Sequence, residues 1–193
     1  MSERNTCCGV LPLLAERWSP RAMSGEMLDH EELLALFEAA RWAPSSYNHQ
    51  PWRFIYATRS MTEWDTFLNL LVPANREWAQ QGAVCILILS HKYFEYNNAL
   101  SRTHSFDTGA ATENLSLQGF SMGLVVHGME GFDYDRARTE LAVPDSYDIE
   151  AMFVVGKQAP ADSLPEPLQK KEVPSDRLPL RDLMFKGTFG VKE

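Results

Sequence analysis

Basic charge, cysteine and long apolar runs are all scarce in this chain of 193 residues, and each scarcity removes a class of function. Lys and Arg number 18 against 26 Asp and Glu, a formal net charge of −8. That balance lacks the basic stripe of a general nucleic-acid binder or of a membrane-surface protein, so an anionic ligand needs a local cationic pocket. Only three cysteines occur, Cys7, Cys8 and Cys85. They form neither an even framework nor a metal-ligand spacing, and Cys85 sits in an apolar run that reads as core. This usage fits a reducing cytoplasm. The five histidines, His30, His49, His91, His104 and His127, share no metal spacing, which removes zinc hydrolysis and leaves no metal site expected. A Walker-type phosphate loop, a G-x-G-x-x-G after a strand, a G-x-S-x-G elbow and internal repeats are all missing, which argues against ATP and dinucleotide folds and serine hydrolases. Near the N-terminus, Arg4, Glu16 and Arg17 flank only a short VLPLLA run, too short for a signal peptide or a spanning helix, so no membrane association is expected.

What is present suits one globular domain over 1–193, with 45% hydrophobic and 23% charged residues. The most informative stretch is RWAPSSYNHQPWRF at 41–54. Pro44 pushes Ala43 out of the helical region, and Pro51 pins the far end of the loop. Between them Ser45, Ser46, Asn48 and Gln50 supply two hydroxyls and two amides able to read a polar heterocycle edge. The same residues also suit a turn held by local backbone bonding. Upstream, Pro20 keeps ERWSPRAM at 16–23 extended, which places Arg17, Ser19 and Arg21 on one face. Two guanidinium groups flanking a hydroxyl suit a phosphate, and a solvated charged edge is the plain alternative.

Asp29 and Glu32 make a capping box ahead of Leu33, Leu36, Phe37 and Ala40, which recur at helical spacing up to Pro44. WRFIYAT at 52–58 reads as a strand. Thr62 and Asp65 start a second helix that Pro73 closes, and NREWAQQ at 75–81 adds a helical turn or two before Gly82. AVCILIL at 83–89 lacks alternation and reads as a central strand buried on both faces. The polar and aromatic stretch 91–106 has no period and reads as a loop or short mobile helix, a candidate lid. Asp107 caps the next helix, where Gly109, Ala110 and Ala111 allow close approach. LVV at 124–126 is a short strand entering a glycine-spaced turn at 127–132, whose backbone N–H groups can face a ligand. AMFVV at 151–155 is another strand. Residues 157–176 form an extended proline-rich excursion, and the arm at 177–193 reads as a docked strand with Arg177 and Arg181 beside it.

These separated motifs follow one another in a known order, and over nearly its whole length the chain resembles the FMN-dependent nitroreductase family. Arg17, Ser19 and Arg21, with Trp18 between them, resemble the N-terminal R-x-S-x-R flavin motif. APSSYNHQPW at 43–52 is similar to the signature A-P-S-S-x-N-x-Q-P-W, which covers Pro44, Ser45, Ser46, Asn48 and Gln50. Asn75 corresponds to the asparagine that meets the flavin pyrimidine ring. Gly128, Met129, Glu130 and Gly131 resemble the turn whose backbone N–H, from Glu130 or Gly131, lies at flavin N5. Arg177 in DRLPL takes the position of the C-terminal phosphate-binding arginine. Trp78 and Ser175 depart from the pattern, standing where a lysine and a basic residue are common.

The resemblance implies an α+β fold, a mostly antiparallel central sheet flanked by helices, assembled as an intertwined homodimer with FMN at each of two interfaces. The Ser45, Ser46 and Asn48 loop would then reach a flavin held chiefly by the other subunit. The implied activity is NAD(P)H-dependent reduction of small acceptors such as nitroaromatics or quinones, by a ping-pong mechanism through flavin N5 with no side-chain nucleophile. Arg17, Arg21 and Arg177 supply the charge a phosphate needs, although Arg21 can equally reach the pyrimidine edge. Two alternatives stay open: an FMN-binding protein for storage, sensing or delivery without turnover, and a same-fold dehalogenase or flavin-degrading enzyme.

Overall fold

The computed structural model describes residues 4, 6 and 8–192; Cys7 lies outside the described residues. Its centre is a four-stranded sheet of β1 (Trp52–Thr58), β2 (Val84–His91), β3 (Leu124–Met129) and β4 (Tyr147–Lys157), in the order β1-β2-β4-β3. Every neighbouring pair is antiparallel. β2 is buried along nearly its full length, as its unbroken apolar run requires. Its residues divide by pleat. Val84, Ile86 and Ile88 face α2 (His30–Arg41) and α5 (His104–Ser121), packing with Leu36 and Leu115. Cys85, Leu87 and Leu89 face α3 (Trp64–Leu70), α4 (Pro73–Ala79) and α6 (Tyr134–Glu140), packing with Phe67 and Trp78. Burial pushes the Cys85 thiol up to about 12, so it is an inert piece of this core.

The Asp29 and Glu32 capping box forms in full, each side chain bonding the other's backbone N–H. Thr62 does not act as a cap: α3 begins at Trp64, and the Thr62 hydroxyl donates to the neighbouring Glu63 carboxylate instead. Pro73 is not the end of that helix but the first residue of α4, where a missing N–H costs nothing. Close packing of α5 occurs at Ala111 and Gly119, with Ala110 packed beside the core, and not at Gly109. A Cβ on Gly119 would lie 2.3 Å from Val126 Cγ2, whereas Gly109 faces open space.

Three further expectations change. The strand at 124–126 runs on through His127 and Gly128 to Met129, because both pair with β4. The segment after β4 is not wholly extended, holding a 3₁₀ turn at Ala161–Ser163 and the short α7 (Glu166–Gln169). The C-terminal arm is no strand. It carries a single 3₁₀ turn at Leu180–Asp182 and exposes Leu178, Leu183, Met184 and Phe189. Pro179 stands among these residues and removes a ladder donor, and among the described residues no sheet edge meets the arm.

A register shift between Ile88 and Leu89 leaves Glu150 opposite no residue of β2. This bulge turns the Glu150 carboxylate to accept from the hydroxyls of Ser90 and Ser105, and so fastens the first turn of α5 to the sheet.

Candidate functional site

The loop before β1 is held in a strained conformation. Tyr47, Asn48 and Gln50 have φ values of 53°, 54° and 51°, a left-handed region that only asparagine among them tolerates well. Such residues cost on the order of 1–3 kcal/mol each and persist where surrounding contacts fix them. Three contacts do so. The Ser46 N–H donates to the Asp107 carboxylate at 3.0 Å, the Gln50 N–H donates to Ser45 Oγ at 3.0 Å, and His49 Nε2 lies 3.3 Å from the His91 carbonyl oxygen.

Asp107 is therefore not the helix cap. It lies in the first turn of α5, buried, and also accepts from the Thr103 hydroxyl. Ser45 and Gln50 are engaged within the loop, the Gln50 amide donating to the Asn48 carbonyl. The side chains of Ser46 and Asn48 make no hydrogen bond among the described residues, and Tyr47 is 84% exposed. Pro44 enters this loop and Trp52, buried, leaves it.

The arginine motif lies elsewhere. A cavity of about 280 Å³ is lined by Arg17, Trp18, Ser19, Arg21 and Arg177, which the sequence had singled out, and by Arg4, His127 and Lys171, which it had not. Glu172 explains how distant segments meet here: its Oε1 accepts from the backbone N–H groups of Arg21 and Ala22 at 2.7 and 2.8 Å. That bond docks the proline-rich segment and carries Lys171 and Arg177 to the cavity. Arg17 Nη1 donates to Ser19 Oγ at 3.3 Å, and Arg17 Nε stands 3.7 Å from Glu113 on α5. Arg177 is exposed and, among the described residues, bonds only the nearby Ser175 and Asp176.

Asn75 on α4 and Gly128, Met129, Glu130 and Gly131 at the end of β3 lie outside the cavity lining, which His127 of the same strand reaches. Asn75 Nδ2 donates to the Gly131 carbonyl at 3.1 Å, and a Cβ on Gly131 would lie 2.7 Å from that nitrogen, so the approach needs glycine. Gly128 is likewise pressed on the Phe153 ring. The N–H groups of Glu130 and Gly131 make no hydrogen bond among the described residues. Trp78 is 2% exposed; its ring packs 4.5 Å from His127, and the Arg21 guanidinium stands 5.8 Å from its centroid. The Trp78 indole thus orients Arg21 by cation–π attraction.

Two of the three parts meet in one chain. The turn at 130–131 follows β3, and His127 of β3 lines the cavity. The Ser45 to Asn48 loop precedes β1, at the opposite edge of the sheet, three strand spacings or roughly 14 Å away.

His127 Nδ1 lies 2.9 Å from the Pro20 carbonyl, an acceptor only, which fixes the proton on Nδ1. Burial lowers its pKa to about 4, with Arg21 and Arg17 pushing the same way against the backbone bonds to Pro20 and Ser19. The imidazole is neutral at pH 7 and adds no sixth cation to the cavity. Because this value lies below the ~6.5 of an unfolded histidine, the unfolded state binds the extra proton between the two. Stability from neutral His127 is complete above about pH 6.5 and declines as pH falls towards 4. Urea unfolding of wild type and His127→Gln between about pH 7 and 5 should show a shallower decline in the variant. Equal slopes would mean that His127 ionises as freely in the folded chain as in the unfolded one.

Among the described residues no group of three or more potential metal ligands occurs, and no helix is long and apolar enough to cross a membrane. Comparison with known proteins agrees with this architecture. A solved oxidoreductase described as containing FMN is 40% identical, with a TM-score of 0.93, covering 98% of this chain and 97% of its own. A Desulfovibrio desulfuricans protein solved in complex with FMN is 23% identical with a TM-score of 0.72, covering 94% of this chain and 99% of its own. An uncharacterised 15.4 kDa protein of Mycolicibacterium smegmatis is 30% identical over 132 residues, 65% of this chain and 86% of its own. The nitroreductase family model matches residues 14–83 and 61–157. With that match over most of its length, and the α+β architecture of a four-stranded antiparallel sheet between helices, the chain belongs to the nitroreductase family.

Proposed function

We propose that this protein is an FMN-dependent oxidoreductase that uses NADH or NADPH to reduce small oxidised acceptors such as nitroaromatics or quinones. The observation that carries the reading is a cavity lined by five cationic side chains in a protein of net charge −8. A phosphomonoester supplies about −1.5 to −2 at neutral pH, which fits that surplus. The 40% identical relative described as an oxidoreductase containing FMN supports the cofactor. Bound FMN would supply the redox chemistry, accepting hydride from the nicotinamide and passing electrons to the acceptor.

The chain's own residues then hold and tune. Arg17, Arg21 and Arg177 bind the phosphate, and Ser19 adds a hydroxyl. The free N–H groups of Glu130 and Gly131 donate to the flavin, held in place by Asn75 through the Gly131 carbonyl. Arg21, seated on Trp78, would lend positive charge to the pyrimidine edge.

The working unit in this proposal is a homodimer. One chain keeps the Ser45 to Asn48 loop and the arginine cavity at opposite sheet edges, and exposes apolar surface at Phe106 on α5 and along the C-terminal arm, with Phe189 87% exposed. A second copy covers these faces and brings Ser46 and Asn48 to its neighbour's flavin.

Purified protein should be yellow and release FMN rather than FAD. Arg177→Ala should weaken FMN binding by about fivefold or more, a discounted value for an exposed charged contact, whereas Lys192→Ala, which breaks only a surface pair with Asp182, should leave it within about twofold. Equal dissociation constants would remove Arg177 from the site. Sedimentation followed by flavin absorbance should show FMN only in the dimer, with flavin lost as the dimer dissociates. A monomer that keeps stoichiometric FMN would contradict the shared site.

A further inference from the structure

Three arginines already meet the need of one phosphate, yet the cavity has two more cations, Arg4 from the N-terminal segment and Lys171 from the proline-rich segment. Arg4 is held in a specific way. Its Nη1 donates to the carbonyls of Ala15 and Arg17, both at 2.7 Å, which ties the N-terminal segment to the first residue of the arginine motif. Its Nε and Nη2 are closed off from solvent and have no hydrogen-bond partner among the described residues. Nε and Nη2 are the side-on fork of a guanidinium. In this same protein Arg41 uses that edge to grip the Glu38 carboxylate at 2.8 and 2.6 Å.

The cluster is also self-repelling. Burial lowers the Arg4 pKa, and the charges of Arg177 and Arg17 lower it further, with only Asp176 opposing. A charged donor edge sealed from solvent and left unpaired is costly, and a turn of the Arg4 side chain that opens this edge onto the adjoining cavity lets an oxyanion satisfy both the fork and the charge. Lys171 is placed next to Glu172, whose bonds to Arg21 and Ala22 fix it at the cavity. As a flexible point charge it adds attraction without shape.

We propose that Arg4 and Lys171 are further binding residues for the terminal phosphate of FMN, Arg4 through its Nε and Nη2 edge and Lys171 through its charge. The phosphate is thereby clamped between the N-terminal segment, the arginine motif and the proline-rich segment. This rests on the FMN reading above. It predicts that the two residues discriminate FMN from riboflavin, which has the same ring system and ribityl chain and no phosphate.

Equilibrium dialysis of FMN and of riboflavin against the full chain tests it. Arg4→Ala should weaken FMN binding about tenfold or more and leave riboflavin within about twofold. Arg4→Lys, which keeps the charge and loses the fork, should fall between wild type and Arg4→Ala. Lys171→Ala should weaken FMN about threefold, as befits an exposed cation. Unchanged FMN binding in Arg4→Ala, or an equal loss of both flavins, would overturn the phosphate role, the second outcome assigning Arg4 to folding of the N-terminal segment. Wild-type protein that binds riboflavin as tightly as FMN, or neither, would overturn the FMN reading itself before any variant is compared.

Discussion

The Glu172 carboxylate, accepting from two adjacent backbone N–H groups at Arg21 and Ala22, is the contact on which the cationic cavity depends. It joins segments about 150 positions apart in the chain. It places Lys171, Val173, Ser175 and Arg177 beside the arginine motif, while the backbone bond from Ala159 to Ala22 and the buried Leu164 hold the start of the same segment. A charged acceptor shared by two amides is stronger than a neutral one, which suits the task of holding like charges together. The opposite side of the cavity is fixed by Arg4 on the carbonyls of Ala15 and Arg17, and its floor by neutral His127 against Trp78.

A second carboxylate performs the matching task at the other sheet edge. Asp107, buried in the first turn of α5, takes the Ser46 N–H and holds a loop with three left-handed residues. Strain of that kind keeps Ser46 and Asn48 presented outwards, with Tyr47 resting its ring edge-on against Phe94, 5.9 Å between centroids. The loop and the cavity are each held by specific contacts and lie at opposite edges of the sheet. In the proposed function a second copy of the chain brings them together.

The elements legible in the sequence were those fixed by local physics. The strand at 52–58, the buried run of β2 and the capping box of Asp29 and Glu32 needed only neighbours a few positions away. Errors arose where one residue has two local meanings. Proline closes one helix as readily as it opens the next, and Pro73 opens α4. Asp107 suits a cap as well as a buried acceptor, and α5 begins three residues before it. Small residues mark close packing only on the face that meets a neighbour, which is the face of Gly119. The site was legible as motifs but not as a place. Arg4, Lys171 and His127 join the cavity through long-range contacts that no spacing announces, although a histidine inside an apolar strand and two cations flanking the motifs were visible clues.

In the proposed function one cofactor site takes electrons from a nicotinamide and gives them to a separate acceptor. Anaerobic mixing of the yellow holoprotein with NADH or NADPH, with a nitroaromatic or quinone added only afterwards, separates the two half-reactions. One of the nicotinamides should bleach the flavin band in the absence of acceptor, and the acceptor alone should then restore it. A flavin band that neither nicotinamide bleaches would mean a protein that binds FMN without turning it over.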